Sequence, residues 1–287
     1  MKRHQLLESI SIVALVIGAA PIAFPNTAFA EIPSGAYADS NYSATTNIAK
    51  TLLGISFNSD GTIANDPYNN ATLLNTLVSQ SKTKDGNTLL NTLRKDGSKI
   101  TLQNLSLGDL SLLSIFDISD NGTSEKPGDM AKWVASKGQG FFGIYSADAW
   151  KTYNANNGQS SADNNCGGGW NVVQVLMHAA YNVQTINYSG LANQFVKTGE
   201  YTNMTTVLLN TQVDNSYFPN LMQLNLSGTN LGDTVGSGQT WPILSSKTLM
   251  TLDLSNTNMT VFGSGVSRLS SGYPSLVKLD ISDNPKL

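Results

Sequence analysis

Apolar residues recur at a fixed spacing along the last quarter of the chain. Leu221-Met-Gln-Leu224-Asn-Leu226, Leu249-Met-Thr-Leu252-Asp-Leu254 and Leu276-Val-Lys-Leu279-Asp-Ile281 each place them at the first, fourth and sixth positions. The units begin 28 and 27 residues apart. Within each, the fourth and sixth residues share one face of a short strand, and the fifth faces the other way. The pattern therefore predicts three strands with an apolar inner face and a polar outer one. Looser copies stand upstream, at Leu113-Ser-Ile-Phe116-Asp-Ile118-Ser-Asp-Asn121 and Val183-Gln-Thr-Ile186-Asn-Tyr188-Ser-Gly-Leu191. Met204-Thr-Thr-Val207-Leu-Leu209 and Phe142-Gly-Ile144 carry weaker forms.

Between these strands the apolar period changes from two to that of a helix. The stretch 124–138 has Pro127 in its first turn, apolar Met130, Trp133 and Val134, and Gly138 at its end, which predicts a short helix. The stretch 170–182 puts Val172, Val173, Leu176, Met177 and Ala180 on one helical face. Before residue 98 the hexapeptide Thr-Leu-Leu-Asn-Thr-Leu occurs twice, at 72–77 and 88–93, each followed by Asp-Gly. Both copies predict short amphipathic helices that cover the open edge of the first strand.

The spacing Leu-x-x-Leu-x-Leu-x-x-Asn-x-Leu, repeated every 20 to 29 residues or so, is that of a leucine-rich repeat. The expected fold class is α/β: a leucine-rich-repeat solenoid, or horseshoe, with irregular repeats and a helical N-terminal cap. Residues 31–97 make the N-terminal segment and cap, and 98–287 the solenoid, its early coils enlarged by helical insertions. The ninth position, where Asn bonds the backbone of the next coil, holds Thr229, Thr257 and Asn284, so two hydroxyls must do the work of an amide. The chain stops on the strand half of a repeat, with Leu276, Leu279 and Ile281 as its last rung. An uncovered rung frays or aggregates, and the expectation is that the natural protein continues past Leu287.

Composition narrows the setting. Lys2, Arg3 and His4 precede an apolar run from Ile10 to about Phe24, and Ala28-Phe29-Ala30 supplies the small residues that signal peptidase reads. Residues 1–30 are thus expected to be a secretory signal peptide cleaved near Ala30, giving a secreted or cell-surface protein. No later stretch has the roughly 18 to 20 apolar residues of a membrane-spanning helix. Without Lys2, Arg3 and Glu8 the chain keeps 15 basic and 19 acidic residues, with no basic cluster to attract nucleic acid. Cys166 is the only cysteine, so no internal disulfide forms and stability must come from packing.

The cap, the segment 98–121 and the Leu-Asp-Leu-Ser repeats resemble the secreted leucine-rich-repeat surface proteins of Gram-positive bacteria, including the internalin-like adhesins. The resemblance covers about 60–287 in outline, and its specific motifs lie in the last three units. The units here are longer and less even than the internalin repeat of about 22 residues. It implies an extracellular adhesion module whose ligand is a protein or a glycan.

Candidate chemistry is sparse. The stretch 164–182 looks like the nucleophile segment of papain-like cysteine peptidases, with Cys166 just before a helix, where a thiol becomes a better nucleophile. The proton acceptor is missing. His4 leaves with the signal peptide, and His178 lies roughly 18 Å further along the same predicted helix at 1.5 Å per residue. His178 reads as a helix residue on a partly exposed face. A Cys-His pair and a Ser-His-Asp triad are both excluded within the chain, and the alternative of a hydrolase needs a degenerate or partner-completed site. Asp117, Asp253 and Asp280 share the fifth repeat position with Asn187 and Asn225, which would stack them in one column. Such carboxylates suit glycoside hydrolysis or a cation, but Leu-Asp-Leu-Ser is the ordinary spelling of this repeat. Asp117-x-Ser119-x-Asn121-Gly122 resembles the front of a calcium loop but has Gly128 where the final acidic ligand belongs. The expected role is therefore a non-catalytic extracellular binding module without metal or cofactor. Its candidate contact residues on the concave face are Gln223, Asn225, Thr251, Asp253, Lys278 and Asp280, with Met222 beside them.

Overall fold

The computed structural model describes residues 42–123, 126–137, 172–191, 218–229, 246–259 and 273–287. The signal-like segment, Cys166, and the weak strand candidates at 142–144 and 204–209 lie outside them. The described part opens with a π-turn at Ile48–Leu52 and a short antiparallel hairpin, β1 (Ser56–Phe57) with β2 (Ile63–Asn65). Helix α1 (Ala71–Gln80) follows and buries Leu73, Leu74, Leu77 and Val78, the stripe its 3.6-residue period dictates. The Asp66 carboxylate accepts the N–H groups of Asn70 and Ala71, both at 2.8 Å, and so satisfies donors at the helix start.

The second copy of the hexapeptide is not a helix. Leu89–Asn91 makes one 3-10 turn, Thr92 is extended, and Leu93 bridges to Lys99 across a turn that Gly97 closes at φ +80°. Of its leucines only Leu89 is fully buried, and Leu93 is 61% exposed. Arg94 explains the difference. Its guanidinium clamps the buried Asp109 carboxylate through Nε (2.7 Å) and Nη2 (2.8 Å), and also donates to the Asn104 carbonyl. A bidentate, partly buried pair of this kind holds the backbone at residue 94 where a continued helix would not put it.

Among the described residues six strands form the main sheet. They are β3 (Lys82–Thr83), β4 (Leu113–Asp117), β5 (Thr185–Asn187), β6 (Gln223–Asn225), β7 (Thr251–Asp253) and β8 (Lys278–Asp280). Their order in the sheet is their order in the chain. β3 runs antiparallel to β4, and every later pair is parallel and free of register shifts. The central residues Phe116, Ile186, Leu224, Leu252 and Leu279 are register partners from one strand to the next. The first four are buried in one continuous core, which Ile118, Tyr188, Leu226 and Leu254 extend at the sixth repeat position.

Among the described residues two helices lie between β4 and β5. α2 (Asp129–Lys137) starts two residues after Pro127 and buries Met130, Ala131 and Trp133. α3 (Val172–Ala179) departs from the amphipathic expectation: Val175, His178 and Ala179 are buried along with Val173, Leu176 and Met177. A helix apolar nearly all round belongs in the core, and α3 packs there against the 3-10 segment Leu107–Leu112. His178 is accordingly 1% exposed, not on an open face, with its ring 6.0 Å from that of Phe218.

Candidate functional site

The outer face of the sheet carries two parallel rows of side chains. One runs Ile115, Thr185, Gln223, Thr251, Lys278, and the other Asp117, Asn187, Asn225, Asp253, Asp280. Register places neighbours within a row about 4.8 Å apart. All six candidate contact residues stand in these rows. Gln223 and Lys278 are exposed, whereas Asn225, Thr251, Asp253 and Asp280 are half-buried, as is Met222 just before β6.

The acidic and amide row is tied into the backbone. Each of its members is followed two residues later by serine, and its Oδ1 accepts that serine's N–H at 2.9 to 3.2 Å. Where the residue is Asp, the serine hydroxyl donates as well, at 2.6 Å for Asp117 and 2.7 Å for Asp253 and Asp280. These are Asx turns, which bend the chain out of the strand. In three of them the residue after the serine takes a left-handed backbone next: Gly228 at φ +65°, Asn256 at +51° and Asp283 at +54°. Gly190 does so after β5 at +74°, and there a Cβ would come within 2.8 Å of the Asp120 carbonyl oxygen. Asn187 Nδ2 also donates to Asp117 Oδ2 at 3.0 Å, which links two strands through their side chains.

This geometry narrows the chemistry of the carboxylates. The Ser282 hydroxyl and N–H, with Lys278 nearby, hold the Asp280 carboxyl below its ordinary range. A glycosidase acid needs the opposite shift. Among the described residues no three His, Cys, Asp or Glu side chains gather as a metal site. Asp117 spends Oδ1 on Ser119, and the calcium-loop resemblance dissolves into two separate turns.

The neighbouring Asp120 has a role the sequence did not reveal. It is 8% exposed, and its Oδ2 accepts the N–H groups of Gly122 (3.0 Å) and Gly128 (2.8 Å), while Oδ1 accepts that of Ala131 (3.0 Å). It thus caps α2 from the exit of β4. A Cβ on Gly128 would sit 2.5 Å from Asp120 Oδ1, so only glycine permits the approach. Local capping rules search the few residues before a helix, and Asp120 lies nine before Asp129.

The ninth-position residues divide. Asn284 reaches the preceding unit: its Oδ1 accepts the N–H of Thr257 (2.9 Å) and of Met259 (3.2 Å), and its Nδ2 donates to the Leu254 and Ile281 carbonyls at 2.9 Å each. The Thr229 hydroxyl also reaches back, to the Tyr188 carbonyl at 2.8 Å, while that of Thr257 donates to Leu254 within its own unit. Tyr188 is fully buried between the layers. Its ring packs edge-on to Phe116 at 6.1 Å, its hydroxyl donates to Met177 Sδ, and burial pushes the phenol far above its ordinary pKa.

Among the described residues no helix is long and apolar enough to cross a membrane. No family model, curated protein or solved structure matches the chain.

Proposed function

We propose that this chain is a leucine-rich-repeat solenoid of the secreted surface kind, acting outside the cell as a non-catalytic binding module for a protein or glycan. The carrying observation is the in-register outer face of β4 to β8, where the residues of one row are locked by their own serines. A row fixed in this way loses little side-chain entropy when it meets a ligand. The adjoining row, with Gln223, Thr251 and Lys278, supplies hydroxyl, amide and ammonium groups for direct contact. Reading the face as a binding surface also accounts for the carboxylates, whose Oδ1 atoms are spent on turns. Export follows from the first thirty residues.

The test is a binding screen of residues 31–287 against mucin, matrix proteins and cell-wall glycans. Gln223→Arg and Thr251→Arg are then measured against whichever ligand binds. The reading predicts at least a tenfold loss of affinity in both variants with thermal stability unchanged. Binding that neither variant alters places the contact elsewhere and overturns the assignment to this face.

A further inference from the structure

One turn occurs three times in the N-terminal part of the fold. Asn58-Ser-Asp60-Gly61-Thr62, Thr83-Lys-Asp85-Gly86-Asn87 and Arg94-Lys-Asp96-Gly97-Ser98 each carry Asp-Gly at the third and fourth places. In each, the N–H of the first residue donates to the carbonyl of the fifth, at 2.8 to 3.0 Å. The glycine N–H donates back to the first carbonyl at 2.9 to 3.1 Å, with the glycine at φ +88°, +77° and +80° in turn. All three Asp-Gly pairs are exposed. The backbone device is thus the same, and only side chains tell the turns apart.

Two of the three carboxylates are held. Thr62 donates its N–H (2.9 Å) and its hydroxyl (2.6 Å) to Asp60 Oδ1, and Ser98 donates its N–H to Asp96 Oδ1 at 2.9 Å. The Thr62 hydroxyl and N–H hold the Asp60 carboxyl below its ordinary range, and those of Ser98 do the same for Asp96. Both turns are also braced from outside their carboxylates. Gln103 Nε2 donates to the Asn58 carbonyl at 3.0 Å, and Arg94 Nη1 to Ser98 Oγ at 3.3 Å. The turn at 83–87 has neither support. Among the described residues no side chain of 83–87 makes a hydrogen bond, and the buried Thr83 Oγ1 has no partner.

We propose that Asp85-Gly86 is a self-modification site, where the turn converts aspartate to isoaspartate through a succinimide. Glycine has no Cβ to shield its nitrogen. The Gly86 nitrogen attacks Asp85 Cγ, and the N–H proton leaves with the carboxyl hydroxyl as one water. Water then adds back to either carbonyl of the five-membered ring. Opening at Cγ restores aspartate, whereas opening at the backbone carbonyl leaves the chain running through Cβ and Cγ. Attack requires a neutral carboxyl that is free to swing onto the nitrogen. The bonds from Thr62 and Ser98 oppose both conditions at the other two turns. The added backbone atom falls in the turn that leaves β3, the strand paired with β4, and isoaspartate there loosens the pairing of Thr83 with Leu113.

The test is peptide mapping of the full chain aged in neutral buffer, with electron-transfer fragmentation to tell isoaspartate from aspartate. Isoaspartate is expected at residue 85 about tenfold faster than at 60 or 96, the worth of one charge-assisted hydrogen bond. Asn87→Ser supplies the missing donor and should slow residue 85 by about the same factor, while Ser98→Ala should speed residue 96. In concentrated urea, where the turns are lost, the three sites should react alike. Equal rates at the three sites of the folded chain overturn the proposal, as does isoaspartate absent from all of them. So does a rate at residue 85 that Asn87→Ser leaves unchanged. A preference for residue 85 that persists in urea also overturns it, because it then comes from the local sequence and not from the turn.

Discussion

The two ends of the sheet are finished differently. At β4 the backward-facing backbone groups have partners. Ser81 Oγ accepts the Asp117 N–H at 3.0 Å, Ser114 Oγ donates to the Lys82 carbonyl, and β3 pairs along the strand with its register broken between Lys82 and Thr83. α1 covers the apolar side, and Phe116 and Ile118 are at most 1% exposed. At β8 the equivalent side chains keep part of their surface in water, and the forward donors of Leu279 and Ile281 meet no strand among the described residues. The lesson is that a repeat specifies its interior by pattern, whereas the β3–β4 side of the sheet is closed by unrelated devices. The closed end uses a short antiparallel strand and a serine hydroxyl, neither of which belongs to the repeat.

The contrast can be broken most severely in the core. Leu252→Ala removes a side chain buried on both sides and should cost about 2–5 kcal/mol, against about 1 kcal/mol for the half-covered Leu279→Ala. Urea titrations of both variants give the comparison, and equal losses would erase it. Asp120→Ala comes next. It leaves the Gly128 and Ala131 N–H groups at the start of α2, and that of Gly122 in the preceding turn, without their carboxylate, at a cost of about 2–3 kcal/mol in the same titration. An effect under about 0.5 kcal/mol would show that water replaces it freely.

Asn284→Ala should cost about 1–2 kcal/mol, because it strips the last unit of its bonds to Thr257, Met259 and Leu254. The loss should appear as faster amide exchange at Thr257 and Met259. Smallest is Asp280→Asn, within about 0.5 kcal/mol at neutral pH. Its signature is pH dependence. The folded-state pKa of Asp280 is lowered, so its charge stabilises the fold above the unfolded value near 3.9. That contribution is lost as the pH falls through the lower folded value. The difference in melting temperature between wild type and Asp280→Asn should therefore shrink below about pH 4. A constant difference from pH 7 to 3 would mean that the turn does not depend on the charge.

Much of the sheet was legible because its signal is local. Strand positions, inward leucines and the outward row all follow from a spacing of three and two, and Phe116 and Ile186 carry it despite uneven intervals. The hexapeptide shows where local reading stops. Thr-Leu-Leu-Asn-Thr-Leu is helical at 72–77, whereas in the copy at 88–93 only Leu89–Asn91 makes a 3-10 turn, since the second copy ends on Arg94 and its clamp to Asp109. His178 was misjudged for the same reason: the burial of α3 is set by what packs around it, and Phe218 is distant in sequence. The repeat spacing put the six candidate residues on one outer face but did not show their division into a turn-forming row and a free one. The recurring Asp-x-Ser and Asn-x-Ser spelling carried that information, since serine two residues after an Asx side chain is the Asx-turn signature.

The central claim is a ladder of consecutive in-register rungs from β4 to β8, joined by backbone hydrogen bonds that run in both directions between neighbouring strands. Residue-resolved amide exchange tests it most directly. Slow exchange is predicted at Ile186, Tyr188, Leu224, Leu226, Leu252 and Leu254, with faster exchange at Leu279 and Ile281. Leu279 and Ile281 protected as strongly as Leu252 and Leu254, or no protection in any of these strands, would contradict it.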